Sequence, residues 1–142
     1  MLFFENYATV KDVLDLKRSE RPDHAGLLKV PFSATLMEVI LYMADHNVGV
    51  VLVYDTNENI IGVVSERDII RRIAMFELEA FHLPLAPMVS KSIFSCTLSD
   101  KLKRVASDMA EHHVRHVAVK DEDGQYIGVI SSSDIELFAG QG

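Results

Sequence analysis

Two serine–aspartate pairs carry the groups best placed to hold a ligand: Ser65 with Asp68, and Ser131 with Asp134. Each pair ends an apolar run entered through Ile-Gly, Ile61-Gly62-Val63-Val64 in one case and Ile127-Gly128-Val129-Ile130 in the other. A β-rich run that gives way to a new apolar pattern at the aspartate is a strand entering a helix. At such a junction the first backbone N–H groups of the helix lack intrahelical partners and the helix dipole is positive, so an anion or a polyol can be held there. The same residues also make a plain helix cap, because serine caps and an acid in the first turn suits the dipole. One occurrence would read as a cap alone. Two occurrences 66 positions apart favour a site.

The elements that must position these pairs are also written twice. From Ser33, Leu36, Val39, Ile40 and Met43 fall on one helical face, with Thr35 and Glu38 spaced as a capping box. Val48 to Val53 reads as a buried strand, Asp55 to Asn59 as a polar turn, Ile60 to Val64 as a returning strand, and Ser65 as the cap of a helix bearing Ile69, Ile70 and Ile73. The second copy repeats the order with Leu102, Val105, Ala106 and Met109, then Val114 to Val119, a turn at Asp121 to Gly124, and Tyr126 to Ile130. Laying Ser33–Ile73 on Ser99–Ala139 needs no gap and leaves sixteen of the 41 positions identical, too many for shared secondary structure alone. The predicted domains are a first repeat over 8–75, a connection over 76–87 with two prolines, and a second repeat over 88–140. Thr9 to Leu14 predicts a short, capped, docked helix, and residues 15–29, rich in charge with Pro22 and Gly26, predict a mobile polar loop inserted in the first repeat.

At 142 residues, 49% hydrophobic and 25% charged, the chain can bury a real core. A net charge of -7 argues against nucleic acid or an anionic membrane surface as the main partner. The single cysteine, Cys96, cannot form an intrachain disulfide and points to a reducing, cytoplasmic setting with the thiol packed in the core. Residues 1–6 lack the basic flank and apolar length of a signal peptide, and no run is long enough to span a bilayer. His112, His113 and His116 cluster, but a strand beginning near Val114 separates the rings, so no metal site is predicted. No Gly-x-Ser-x-Gly elbow is present and both serines fall at caps, so no catalytic residue is assigned.

Two tandem helix–strand–strand–helix units, each closing in Gly-hydrophobic-hydrophobic-Ser-x-x-Asp, resemble a pair of CBS domains, the regulatory arrangement also called a Bateman module. Ser65-Glu66-Arg67-Asp68 and Arg115-His116-Val117-Ala118-Val119 are especially similar to small stand-alone bacterial two-domain proteins. The resemblance implies an α+β fold, with small mixed sheets packed about a pseudo-twofold axis and two clefts between the halves. It implies an adenosyl effector (AMP, ADP, ATP, NAD or S-adenosylmethionine) rather than an obligatory cofactor. Carried over by position, Asp68 and Asp134 become ribose acceptors, Ser65 and Ser131 phosphate donors, and Leu27 and Ile93 neighbours of the adenine. Arg115-His116 stands where the first copy has Gly49-Val50, and Arg67 is replaced by Ser133, so the cleft served by Arg115 and His116 is the better candidate for a charged nucleotide. Arg115 as a solvated or acid-paired strand residue is the plainer alternative. A homodimer is expected, with output through self-association or a separate protein target. The competing function is an interaction module with degenerate, ligand-free sites.

Overall fold

The computed structural model describes residues 6–141; residues 1–5, where the sequence argues against a signal peptide, lie outside the described residues. The chain divides into two compact units, one of residues 28–93 and one of residues 1–27 with 94–142.

The unit of residues 28–93 holds a three-stranded sheet in the order β1-β2-β3, from Lys29–Pro31, Val50–Tyr54 and Ile60–Ser65. β1 runs parallel to β2, and β2 is antiparallel to β3. Helix α3, Leu36–His46, begins at a capping box in which the Glu38 N–H donates to Thr35 Oγ1 at 3.3 Å and the Thr35 N–H donates to Glu38 Oε1 at 3.0 Å. The helix stops at Asn47, whose φ of 53° is the left-handed conformation asparagine tolerates at a helix end. Its face of Leu36, Val39 and Met43 packs on Val51, Val53 and Val64 of the sheet. Burying each such side chain contributes roughly 1.5–3 kcal/mol. Helix α4, Glu66–Phe76, follows directly from β3. Ile69 is buried and Ile73 partly so, whereas Ile70, grouped with them from the sequence, is 65% exposed.

The second unit repeats the plan with β4 (Ser95–Thr97), α5 (Leu102–Glu111), β5 (His116–Lys120), β6 (Tyr126–Ser131) and α6 (Ser132–Gln141). Strand order and directions match those of the first sheet, and the register slips at the corresponding pair, Val53/Tyr54 and Val119/Lys120. The N-terminal helix α1, Val10–Glu20, belongs to this unit. It buries Val10, Val13 and Leu14 among Leu102, Val105, Met109 and Ile130, and the Val10 N–H donates to the Asp100 carbonyl at 3.0 Å. It is docked and capped as the sequence predicts, with the Thr9 N–H donating to Asp12 Oδ2 at 2.9 Å.

One expectation needs correction. Residues 15–29 are not a polar loop: α1 continues to Glu20, a second short helix α2 covers Pro22–Ala25, and β1 begins at Lys29. Lys17, Arg18 and Glu20 are good helix formers, with Glu20 exposed and Lys17 turned inward to Asp134, and Pro22 takes the first position of α2, where its missing N–H costs nothing. The sheets are the small mixed sheets expected, each with a three-residue strand beside the hairpin that is too short to show a period in the sequence. The connection over 76–87 carries short 3-10 turns at Glu77–His82 and Ala86–Met88 and is packed into the core: Ala80 and Leu85 are fully buried, and the Leu85 N–H donates to the Ala34 carbonyl at 2.9 Å.

Cys96 sits in the core of the second unit, where burial and then the Asp100 charge push its thiol up to about 12. Such a thiol is almost wholly protonated at neutral pH, and the thiolate is the reactive form. The folded protein is therefore expected to resist a disulfide reagent and to release one thiol equivalent on unfolding; fast labelling of the native protein would contradict the assignment.

Candidate functional site

Ser65 is the N-cap of α4, and Asp68 stands in its first turn. The carboxylate Oδ2 of Asp68 accepts from the Ser65 N–H and from the Ser65 hydroxyl, each at 2.9 Å, while the Asp68 N–H donates to Ser65 Oγ at 3.3 Å. The Glu66 N–H donates to the Gly49 carbonyl at 2.8 Å. Two of the first three helix N–H groups, those of Glu66 and Asp68, are thus satisfied within the protein, which leaves fewer free than the sequence suggests. Among the described residues, the second carboxylate oxygen of Asp68, Oδ1, has no donor and no Lys or Arg pairs with Asp68.

The twin junction differs. Asp134 Oδ2 accepts from the Ser131 N–H at 2.8 Å, and the Asp134 N–H donates to Ser131 Oγ at 3.1 Å. Two cations from the N-terminal segment then close on the same carboxylate. Lys17 Nζ donates to Oδ2 at 2.9 Å, and the Arg21 guanidinium pairs with Oδ1. Asp134 is only 3% exposed. That burial would raise its pKa, but hydrogen bonds from Lys17 and the Ser131 N–H, with the charge of Lys17, outweigh it and hold the carboxyl below its ordinary value.

Lys17 and Arg21 are the residues the sequence reading missed, and a signal for them exists. Val10, Val13, Leu14, Lys17 and Arg21 follow one helical face, so the buried stripe of α1 runs on into two bases. A stripe that changes from apolar to cationic without leaving its face has a buried acid to meet.

The strands bring the other candidates to these junctions. His116 pairs in register with Ser131, and the Ser132 N–H donates to the Arg115 carbonyl at 2.8 Å, so the main chain of Arg115-His116 flanks the start of α6. Arg115 is exposed and His116 half-buried. At the equivalent place in the other unit a Cβ on Gly49 would lie 3.2 Å from the Glu66 carboxylate. An acid therefore stands beside one junction where a base stands beside the other. Arg67 is exposed on the first turn of α4. Leu27 and Ile93 are half-buried at equivalent positions, each two residues before the first strand of a sheet. Among the described residues no group of three His, Cys, Asp or Glu is placed to hold a metal ion, and no helix is long and apolar enough to cross a membrane.

The family model for the CBS domain matches this chain twice, over residues 23–75 and 85–137, and each match closes on one Ser-x-x-Asp junction. The chain belongs to the CBS-domain family. The fold agrees with solved CBS structures. A CBS-domain protein from Agrobacterium tumefaciens superposes with a TM-score of 0.83 at 24% identity, covering 94% of this chain and 95% of that one. A CBS domain protein from Pyrobaculum aerophilum, solved in complex with AMP, superposes with a TM-score of 0.74 at 27% identity, covering 94% and 99%. An uncharacterized 17.7 kDa protein of Acidianus ambivalens is 22% identical over 103 residues, or 72% of this chain. The chain spans between 20% and 61% of the length of this and two further curated relatives. A tandem CBS pair is a ligand-binding regulatory unit as a class, and this chain has that architecture.

Proposed function

We propose that this CBS pair is a regulatory protein that binds an adenosyl ligand and signals by a change of shape or association. The observation that carries the reading is the vacant hydrogen-bonding capacity of Asp68: a half-buried carboxylate at a helix start, held by Ser65 through one oxygen, with Oδ1 lacking a donor among the described residues. Two neighbouring ribose hydroxyls are a natural match for such an acceptor. The AMP complex of the Pyrobaculum protein, 27% identical, supports the ligand class. Glu66 beside the Asp68 junction opposes a phosphate there, whereas Arg115, His116 and Ser131 at the Asp134 junction favour one. The two junctions are thus assigned different ligands: an uncharged adenosyl group at Asp68, and a nucleotide at Asp134. Leu27, Ile93 and Arg67 remain the assigned apolar and basic neighbours of these ligands.

A ligand of this kind acts by favouring one conformation or assembly over another. Leu41, Ile70, Met75 and Leu78, between 60% and 80% exposed, favour a companion role in association, as a homodimer or with a separate protein target. The unpaired Cys96 suits a cytoplasmic setting.

Calorimetric titration with adenosine and AMP tests the reading. Asp68→Asn is expected to weaken adenosine at least tenfold, in line with loss of a charge-assisted hydrogen bond of roughly 1.5–3 kcal/mol. Binding left unchanged when both Asp68 and Asp134 are asparagine would sink the ribose assignment and leave the interaction module standing.

A further inference from the structure

We propose that Lys17 and Arg21 are a built-in occupant of the Asp134 carboxylate, an autoinhibitory contact that shuts this acceptor to neutral polyols and opens it only to ligands carrying an anion. The inference rests on the reading of the motif aspartates as ribose acceptors and adds what controls one of them.

The contrast between the two junctions carries it. Among the described residues Asp68 has one oxygen without a donor, while both oxygens of Asp134 are engaged, one by Lys17 with the Ser131 N–H and one by Arg21. Nor is the Lys17 contact a chance rotamer. Its ammonium also donates to the Val129 carbonyl at 2.8 Å. In the other unit the equivalent carbonyl, Val63, accepts instead from the Ser90 main-chain N–H at 3.0 Å. The lysine therefore stands where the repeat elsewhere places backbone, and it reaches the aspartate from that fixed point. Arg21 is the looser partner. Its side chain is 38% exposed, its Nε is buried with no hydrogen-bond partner, and it sits at the joint where α1 ends before Pro22.

The chemistry of exchange follows. A ribose offers Asp134 two neutral hydroxyl donors in place of two cationic ones. Charge-assisted hydrogen bonds are about twice as strong as neutral ones, and displaced Lys17 and Arg21 would be left without their counter-ion. Adenosine alone has nothing to offer the released cations, but a nucleotide brings phosphate oxygens that can accept from them. Lys17 and Arg21 thus select nucleotide over nucleoside at this junction.

Adenosine titrations of five proteins decide the matter: wild type, Asp68→Asn, Arg21→Gln, Lys17→Gln and Arg21→Gln with Asp134→Asn. Glutamine at 17 can still donate to Val129 O, and Lys17 is intact in Arg21→Gln, so at least one variant keeps the fold, as thermal unfolding will report. Wild type is expected to bind one equivalent, weakened at least tenfold by Asp68→Asn. Arg21→Gln or Lys17→Gln should gain a second adenosine site at least tenfold tighter than any second site in wild type, and Asp134→Asn should remove it. If wild type binds adenosine through Asp68 but folded variants gain no second site, the occupant role is overturned and the ribose reading stands. A second adenosine already bound by wild type through Asp134 also overturns it. If no protein binds adenosine, or binding ignores both aspartates, the ribose reading fails and takes the inference with it.

Discussion

Asp134→Ala is expected to destabilise the protein by about 3 kcal/mol at neutral pH, whereas Asp68→Ala should lose about 1 kcal/mol, although the two residues occupy the same place in the repeat. At position 68 the alanine removes a capping partner of Ser65 and leaves no charge behind. At position 134 it also strands Lys17, whose side chain is only 10% exposed, next to Arg21. Removing one member of a buried ion pair costs about 3–5 kcal/mol because the other charge loses its compensation. The low end applies here, since Arg21 at 38% exposure can turn to solvent. Urea unfolding of the two variants side by side measures the difference, and equal losses would refute the ion cluster as a stabilising feature. The pH dependence has a definite sign. The Asp134 carboxyl is depressed in the folded state, so its contribution is fully present above the unfolded carboxyl pKa and disappears as pH falls through the folded one. The gap between wild type and Asp134→Asn should accordingly narrow in strong acid.

The sequence made the framework legible where the signals are local. The apolar stripes of α3 and α5, the Thr35–Glu38 box and the Ser-x-x-Asp caps each lie within about three turns of chain, and periodicity detects that range. β1 and β4 stayed hidden because three residues display no alternation. The 76–87 connection was unreadable for another reason: Leu85 is buried through an irregular backbone that hydrogen-bonds Ala34, and irregular burial leaves no pattern. The hydrogen bonds that dock α1 against the second copy, such as Val10 N–H to the Asp100 carbonyl, span tens of residues, and the pairing of Lys17 and Arg21 with Asp134 spans more than a hundred. The sequence placed both aspartates and their caps, but it could not tell which carboxylate already had cations. That one fact separates two junctions that the repeat writes alike.

Gly62→Ala, adding a single methyl group, is expected to cost about 3 kcal/mol, the upper end for overpacking, and to lower Tm by about 6–12 °C. An alanine Cβ at 62 would overlap the Ser90 carbonyl oxygen and Val89 Cγ1. Ser90 cannot retreat cheaply, because the Val63 N–H donates to its carbonyl at 2.9 Å and its own N–H donates to Val63 O at 3.0 Å. Moving the segment breaks that two-way bridge beside a buried strand. Gly128→Ala, the same substitution in the second copy, should cost less than about 1.5 kcal/mol. There the Cβ would stand 3.3 Å from the Ala25 carbonyl oxygen and 3.4 Å from Leu14 Cδ1, gaps that a shift of a few tenths of an ångström relieves. Scanning calorimetry of the pair separates two explanations of the shared glycine. Equal losses would mean that both strands need glycine for their own backbone; a loss confined to Gly62 would mean that the demand comes from what crosses the strand. In one unit that is the Val89–Ser90 main chain, bonded in both directions; in the other the carbonyl of Val129 is met by the ammonium of Lys17, at the end of a flexible side chain. The looser crossing at Gly128 therefore accompanies the lysine that reaches on to Asp134.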